Sequence, residues 1–237
     1  MKPKTQDQSV SYTSGSDSDS TLRYRTQHLL RTAILDGDYS AGEKLKEREL
    51  CELTGASRSI LREALVNLEV HGLIVRESYR GYSVAELSAR KISEIFELRS
   101  LLETQAAELF TERASDLEID ALSLAMKELE QCLVDEDFNL QRMRQTKEQY
   151  YHVLFSGCRN EEIRRALGSI IDRVLYLRAK KMVEPSRRKA SLDEFRKLTK
   201  ALIERDQFAA RAASIAHLQA AREALLMSLA EQQANTC

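Results

Sequence analysis

Apolar side chains recur at the three- and four-residue spacing of an α-helix over most of the chain after Thr21. The first 20 residues differ, because they are rich in Ser and Asp and contain almost no large apolar residue. Such a segment cannot offset the entropy lost on ordering, so residues 1–20 are predicted to form a disordered tail. An inert extension and a functional arm both remain open for it.

Residues 21–86 combine three short helical stretches with two extended ones. Gly55 marks the break between the second and third helical stretches, and Ser57 stands where the N-cap of the third belongs. The extended runs, 73–75 and 82–84, flank a polar turn and predict a hairpin. Three short helices followed by a hairpin predict a winged helix-turn-helix domain.

Residues 87–232 show only helix signals, in six segments separated by polar breaks. Helices of this length joined by short loops predict an antiparallel bundle. The predicted fold class is therefore mainly α, with an N-terminal winged helix-turn-helix followed by an all-helical antiparallel bundle. The six predicted segments are 88–114, 116–135, 137–157, 159–181, 189–204 and 206–232.

Composition narrows the class of protein. The 237 residues are 43% hydrophobic and 31% charged, with a net charge of −1, which is typical of a globular protein. Neither a secretory signal nor an apolar run of membrane-spanning length is recognisable, and the four cysteines are scattered, so a cytoplasmic protein with reduced thiols is expected. Because the chain is nearly neutral, any nucleic-acid surface must be a local patch.

Four arginines form a candidate patch of this kind. Arg58 and Arg62 lie one turn apart at the start of the third helix, and neither has a carboxylate three or four positions away in that helix. Arg48 opens the second helix, and Arg80 lies at the hairpin tip. In a winged helix these positions face the duplex, where arginine pairs with guanine and a helix N-terminus holds a phosphate.

The segment GEKLKERELCELTGASRSILREALVNLEVHGLIV, followed by RGYSV, resembles the N-terminal domain of GntR-family transcription regulators. The next segment, ELSARKISEIFELRSLLE, resembles the start of the ligand domain of the FCD subgroup, in its six-helix, VanR-like form. The resemblance covers about residues 22–230, with departures at Ile60 and Ala41, where the family usually has Pro. The DNA contacts that it implies are Arg48, Ser57, Arg58, Ser59, Arg62, Arg80 and Gly81.

The same resemblance bears on metal binding. The family commonly holds a divalent metal through an Asp and a His one turn apart and two later His. The gap-free match through YYHVLFSGCRN puts Lys147 and Tyr151 in the first two positions, Phe195 in the third and His217 in the last. Since only His217 suits a metal, no metal and no other cofactor is predicted.

A shifted register leaves one alternative open. Only a gap inserted before Gly157 would bring Glu148 and His152 into the first two metal positions. Without that gap, the two side chains point about 100° away on the helix. The register with the gap gives a three-ligand set of Glu148, His152 and His217.

The predicted ligand site follows from the gap-free register. Arg99, in FELRSLLE, corresponds to an arginine that faces the pocket in this family, and a buried cation requires an anion. A small anionic metabolite bound without metal is therefore expected. The alternatives are an ion pair of Arg99 with Glu103 and a solvated helix face for Lys147. The predicted ligand-binding residues are Arg99, Lys147, Tyr151, Phe195 and His217.

Together these features predict a ligand-responsive DNA-binding transcription regulator rather than an enzyme. The expected form is a cytoplasmic homodimer that reads a pseudo-palindromic operator and acts as a repressor released by a small carboxylate metabolite. Two alternatives are an architectural DNA-binding protein without effector and a metal-dependent hydrolase using Glu148, His152 and His217.

Overall fold

The computed structural model describes residues 15–77, 81–86, 88–178 and 184–234. The mainly α fold predicted from the sequence is confirmed, and a small sheet lies in the N-terminal domain. The elements are, in chain order, α1 (Gly15–Asp36), β1 (Lys44–Leu45), α2 (Glu47–Thr54), α3 (Arg58–Val70), β2 (Ile74–Glu77), β3 (Gly81–Val84), α4 (Ala89–Arg113), α5 (Asp116–Val134), α6 (Leu140–Gly157), α7 (Glu161–Arg178), α8 (Pro185–Ile203) and α9 (Gln207–Ala234).

Local signals shape the turn between α2 and α3. Gly55 adopts a left-handed conformation with φ of 69°, and its N–H donates to the carbonyl of Cys51. This conformation suits glycine because it has no Cβ. Ser57 then caps α3, where its hydroxyl accepts a hydrogen bond from the backbone N–H of Ile60 at 3.4 Å. The two helices of the predicted helix-turn-helix are thus set by residues at their junction.

The sheet has the strand order β1–β3–β2, with antiparallel pairing throughout. Leu45 of β1 lies opposite Tyr82, and Ile74 of β2 lies opposite Val84. The predicted hairpin forms the wing. β1 was not predicted, because two residues are too few to show the alternation of a strand.

The helices after the wing form the predicted bundle. α4 and α9 run antiparallel, since Arg222 donates to Ser93 at 3.0 Å near one end and Arg211 pairs with Glu108 at 2.6 Å near the other. α5 packs against α6 and α8, and α8 packs against α9. In the parts of the chain that the structure describes, no helix has the length and apolarity needed to cross a membrane.

Three predicted helix boundaries were wrong. α1 begins at Gly15, within the predicted tail, because Ser and Asp are favourable near a helix N-terminus; residues 1–14 lie outside the described part of the chain. α8 begins at Pro185 rather than 189, since proline suits the first position of a helix. Asn139 caps α6, whose first residue is Leu140 rather than 137.

Candidate DNA interface and effector site

The predicted DNA contacts that the structure describes lie at or near the N-terminus of α3, at the start of α2 and at the wing. Arg48, Ser57, Arg58, Ser59 and Arg62 are all exposed. Within the described residues Arg58 has no ion pair or hydrogen bond to its side chain, so its guanidinium is available to an anionic partner. An exposed arginine at the first position of α3 is well placed to enter a groove.

Arg62 has an ion-pair partner, Glu47, that the sequence analysis did not predict. It has no carboxylate partner in its own helix, but its Nε lies 3.1 Å from a carboxylate oxygen of Glu47 in α2. The pair is exposed and contributes little stability, yet it orients the guanidinium across the helix-turn-helix. Residues 15 positions apart meet only when α2 and α3 pack, so helical spacing could not reveal this pair.

The two serines differ in that Ser57 caps α3 and Ser59 does not. The hydroxyl of Ser57 caps α3, and it also lies 3.0 Å from the hydroxyl of Ser59. At the wing, Gly81 is exposed with φ of 84°, and a Cβ added there would meet no atom within 4 Å. The chain can therefore approach a duplex closely at Gly81. The remaining predicted contact, Arg80, lies outside the described residues.

The predicted ligand-binding residues meet in the interior of the helical domain. Each has no more than 3% of its surface exposed. The residues come from four helices: Arg99 from α4, Lys147 and Tyr151 from α6, Phe195 from α8 and His217 from α9. We call these five residues the buried cluster.

Tyr151 connects the ends of the buried cluster. Its hydroxyl lies 3.1 Å from Nε2 of His217 and accepts a 3.5 Å contact from a terminal nitrogen of Arg99. His217 donates from Nδ1 to Glu194 at 2.7 Å, and Arg187 binds the same carboxylate through two nitrogens at 2.6 and 2.9 Å. The contact with Glu194 fixes the imidazole, whose other nitrogen faces Tyr151.

The pKa of Glu194, which accepts from both His217 and Arg187, is shifted well below its ordinary value. Burial by itself would raise the pKa of Glu194, but the hydrogen bonds from His217 and Arg187 outweigh it and lower that pKa to about 2. Glu194 is therefore ionised at neutral pH. Sequence reasoning missed both Glu194 and Arg187. The only available signal was the position of Glu194 next to Phe195 in SLDEF.

Arg99 forms the alternative ion pair with Glu103 as well as its contact to Tyr151. Burial opposes the charge on Arg99, but the adjacent Glu103 carboxylate raises the pKa of the guanidinium above its ordinary value. The ion pair leaves one terminal nitrogen, Nη1, buried and without a hydrogen-bond partner among the described residues. An unsatisfied buried donor is costly, which marks this nitrogen as a place for an acceptor.

Lys147 is buried against Ser191, whose hydroxyl accepts a hydrogen bond from Nζ at 3.2 Å, and over the ring of Phe195 at 5.2 Å from its centroid. The solvated helix face considered for Lys147 was therefore wrong. Phe195 also packs against His217, with 4.7 Å between the ring centroids. The cluster combines two buried cations with aromatic walls, an arrangement suited to an anion.

Comparisons with known proteins identify both the N-terminal winged-helix domain and the helical domain. Residues 22–84 match the model of bacterial regulatory proteins of the gntR family, and residues 94–220 match the FCD domain. This chain belongs to the GntR family. It is a DNA-binding transcription regulator with an FCD domain, and the family consists of transcription regulators rather than enzymes.

Several GntR-family proteins resemble the chain over most of its length. The uncharacterized regulator YdhC of Bacillus subtilis is 27% identical over 208 residues, covering 87% of this chain and 92% of the relative. The transcriptional repressor GlaR of Escherichia coli is 25% identical, covering 75% and 83%. The structure of E. coli McbR/YncC matches with a TM-score of 0.76 at 18% identity, covering 88% of this chain and 98% of that one. The structural match supports the fold alone.

The GntR resemblance also raises the question of a metal. The four family positions hold Lys147, Tyr151, Phe195 and His217, and neither an ammonium group nor a phenylalanine ring can ligate a cation. These residues do not fit a divalent metal. Within the described part of the chain, no three His, Cys, Asp or Glu side chains are grouped for metal binding.

The alternative metal ligands of α6 lie outside the buried cluster. His152 is exposed, and Glu148 faces α1 of the GntR winged helix. The Glu148 carboxylate is 2.9 Å from Arg31 and 3.2 Å from Arg144. His217 instead contacts Tyr151 at 3.1 Å and Glu194 at 2.7 Å inside the helical domain.

Arg144 extends this contact into a network across the two domains. Its side chain is 7% exposed and lies 2.9 Å from the carboxylate of Asp36, the last residue of α1. We call Arg31, Asp36, Arg144 and Glu148 the junction network. The sequence separations of more than 100 residues explain why pattern analysis did not find it.

Proposed function

We propose that this GntR-family regulator is a homodimeric repressor released from its operator by a small carboxylate metabolite that enters the buried cluster. The observation that carries the effector class is the buried Nη1 of Arg99, which has no acceptor among the described residues. A ligand carboxylate would supply that acceptor and would form a charge-assisted hydrogen bond.

The DNA-reading part of the proposal rests on the start of α3. Arg58 would enter the major groove, Arg62 would be oriented by Glu47, and Ser59 with the helix N-terminus would hold a phosphate. Arg48 and the wing residues Arg80 and Gly81 would contact the flanking backbone. Two such heads would read a pseudo-palindromic operator.

A second copy of the chain is supported by apolar exposure on adjacent helices. Leu101 of α4 is 72% exposed and Phe208 of α9 is 85% exposed, while Leu98 of α4 is 46% exposed. Because α4 and α9 pack side by side, a dimer through this surface would cover these side chains. The symmetry of such a pair suits a two-fold operator, and the protein would act in the cytoplasm with the DNA.

The effector would act by differential affinity. A carboxylate that binds one arrangement of the helical domains more tightly shifts the population toward it and lowers the fraction able to span both half-sites. One relative, GlaR, is named a transcriptional repressor, which supports repression rather than activation as the role proposed here. In this chain, α6 supplies both Lys147 of the cluster and Glu148 of the junction network.

DNA binding is tested by fluorescence anisotropy with a duplex from the protein's own upstream region and a scrambled duplex, each at two ionic strengths. We expect salt-sensitive binding that prefers the native duplex and that weakens about tenfold or more in Arg58→Ala. Arg90→Ala, an exposed arginine of α4, is the matched control and should bind normally. Equal binding to both duplexes would instead support an architectural protein.

The effector is tested by thermal unfolding with succinate and citrate as probes. We expect at least one carboxylate to raise the unfolding temperature of the native protein and to release the duplex. Lys147→Met keeps the shape of the side chain but removes its charge, so the stabilisation should be lost. Lys127→Met changes an exposed lysine of α5 and should leave it intact. Stabilisation retained in Lys147→Met would contradict binding in the buried cluster.

A further inference from the structure

A cleft of about 370 Å³ lies where α1 of the winged helix meets α6 and α7 of the helical domain. Arg31 contributes the wall on the α1 side, and α6 lines the cleft with Gln145, Gln149 and the carboxylate of Glu148 that pairs with Arg31. Arg164 and Gly168 line it from α7. The volume is within the range of small-molecule sites, which often lie between domains. We call it the junction cleft.

Gly168 gives an independent reason to regard the junction cleft as a site. It lies inside α7, where glycine is among the least favourable residues for helix stability. A Cβ added at Gly168 would meet no atom within 4 Å, so packing within the protein does not require glycine there. The missing side chain enlarges the cleft and lets a bound molecule approach the α7 backbone.

The chemistry of the lining defines the class of ligand. Tyr151 and Phe155 border the cleft as a stacked pair, with 5.3 Å between centroids and 23° between planes. Flat apolar groups pack well against such rings. Arg31 lines the cleft from α1 and pairs with Glu148 at 2.9 Å, and Arg164 lines it from α7 and pairs with Glu161 at 2.6 Å. A ligand carboxylate would take the place of these two acids on the guanidinium groups. Gln145 and Gln149 add amide donors and acceptors.

We propose that the junction cleft binds a small carboxylic acid with a flat apolar body, such as an aromatic acid. The acid group is held by Arg31 and Arg164, and the flat body packs against Tyr151 and Phe155. This site shares Tyr151 with the buried cluster but offers a different pair of cations, Arg31 and Arg164.

Occupancy of the cleft has a consequence for the DNA-binding domain. Arg31 holds Glu148 at 2.9 Å in the junction network, so a ligand carboxylate on Arg31 competes with Glu148. The competition loosens the link between α1 and α6. This consequence, unlike the site, rests on the proposed regulatory function.

The test uses the full chain and benzoate as the probe, with binding measured by titration calorimetry. Benzoate should bind saturably. The neutral analogue benzamide should bind at least about tenfold more weakly, because it lacks the charge. Gly168→Leu fills the cleft and should weaken benzoate by at least about tenfold. Gly168→Ala leaves most of the volume and shows whether a change at this position affects folding.

Two neighbouring arginines provide matched variants. Both are exposed and paired within α7, Arg164 with Glu161 at 2.6 Å and Arg165 with Glu162 at 3.0 Å. They differ in that Arg164 lines the cleft and Arg165 does not. Arg164→Gln should weaken benzoate about tenfold and Arg165→Gln should not change it. Circular dichroism of each variant establishes that α7 is intact.

Two outcomes would overturn the site: no saturable binding of benzoate, or binding that Gly168→Leu leaves unchanged. If Lys147→Met abolishes benzoate binding while Gly168→Leu does not, the acid occupies the buried cluster, which supports the proposed function and contradicts this inference. Binding in the cleft without any effect on duplex anisotropy would overturn the competition with Glu148 and leave the site standing.

Discussion

Lys147 and Glu148 are consecutive residues of α6 that reach into different parts of the protein. Lys147 donates to Ser191 at 3.2 Å inside the helical domain, and Glu148 accepts from Arg31 at 2.9 Å in the first helix of the winged domain. Consecutive helical residues differ by about 100° in direction, which is enough to place one in each environment. One turn of α6 thus joins the buried cluster to the junction network.

The junction network should make a measurable contribution to stability through Arg144. Arg144→Gln removes a nearly buried cation that pairs with both Asp36 and Glu148, so we expect the free energy of unfolding to fall by about 2 to 3 kcal/mol. Urea denaturation measures this loss. Arg142→Gln, which removes a half-exposed pair with Asp135, should change it by less than about 0.5 kcal/mol. Equal effects of the two variants would contradict the network.

Glu194 should make stability depend on acidity. Its pKa of about 2 in the folded protein is below its ordinary value of 4.5, so its contribution is present above that ordinary value and is lost as the pH falls toward about 2. The shift corresponds to about 3 kcal/mol. Glu194→Gln should be less stable at neutral pH, and its urea midpoint should fall less between about pH 5 and pH 2.

The control for this prediction is Glu112→Gln, which changes an exposed glutamate of α4. Its acid dependence should follow that of the native protein. A Glu194→Gln variant with the same acid dependence as the native protein would show that His217 and Arg187 do not hold the carboxylate as described.

Two helical glycines should respond oppositely to alanine. A Cβ at Gly157 would lie 2.5 Å from the ring of buried Phe110, so Gly157→Ala should destabilise by about 1 to 3 kcal/mol despite the better helix propensity of alanine. At Gly168 the added methyl meets nothing within 4 Å, and Gly168→Ala should stabilise by up to about 1 kcal/mol. Thermal unfolding of both variants decides between these signs.

Ser57 and Ser59 should separate capping from DNA binding. Ser57→Ala removes the cap of α3 and should cost about 1 kcal/mol of stability. Ser59→Ala leaves the cap and should weaken DNA binding with little loss of stability. Denaturation and duplex anisotropy on the same preparations measure both effects. A destabilised Ser59→Ala would show that the hydroxyl pair at 3.0 Å is structural.

Local features of the sequence determined the order of helices and the turns between them. Gly55 and Ser57 set the helix-turn-helix, because a left-handed residue and a side-chain cap act within a few positions. The gap-free match to the family placed Lys147 and Tyr151 together at the predicted site, and the helical period then turned Glu148 about 100° away. These predictions succeeded because the interactions behind them span at most about one helical turn.

Tertiary structure alone decided which side chains meet across helices. Tyr151 reaches His217 over 66 positions, Arg144 reaches Asp36 over 108, and Glu47 reaches Arg62 over 15. No local pattern encodes these separations, because each pair depends on how whole helices pack and on the burial that makes an unpaired charge costly. The sequence therefore determined the helices and the register of their faces, whereas packing selected the partners that complete the site.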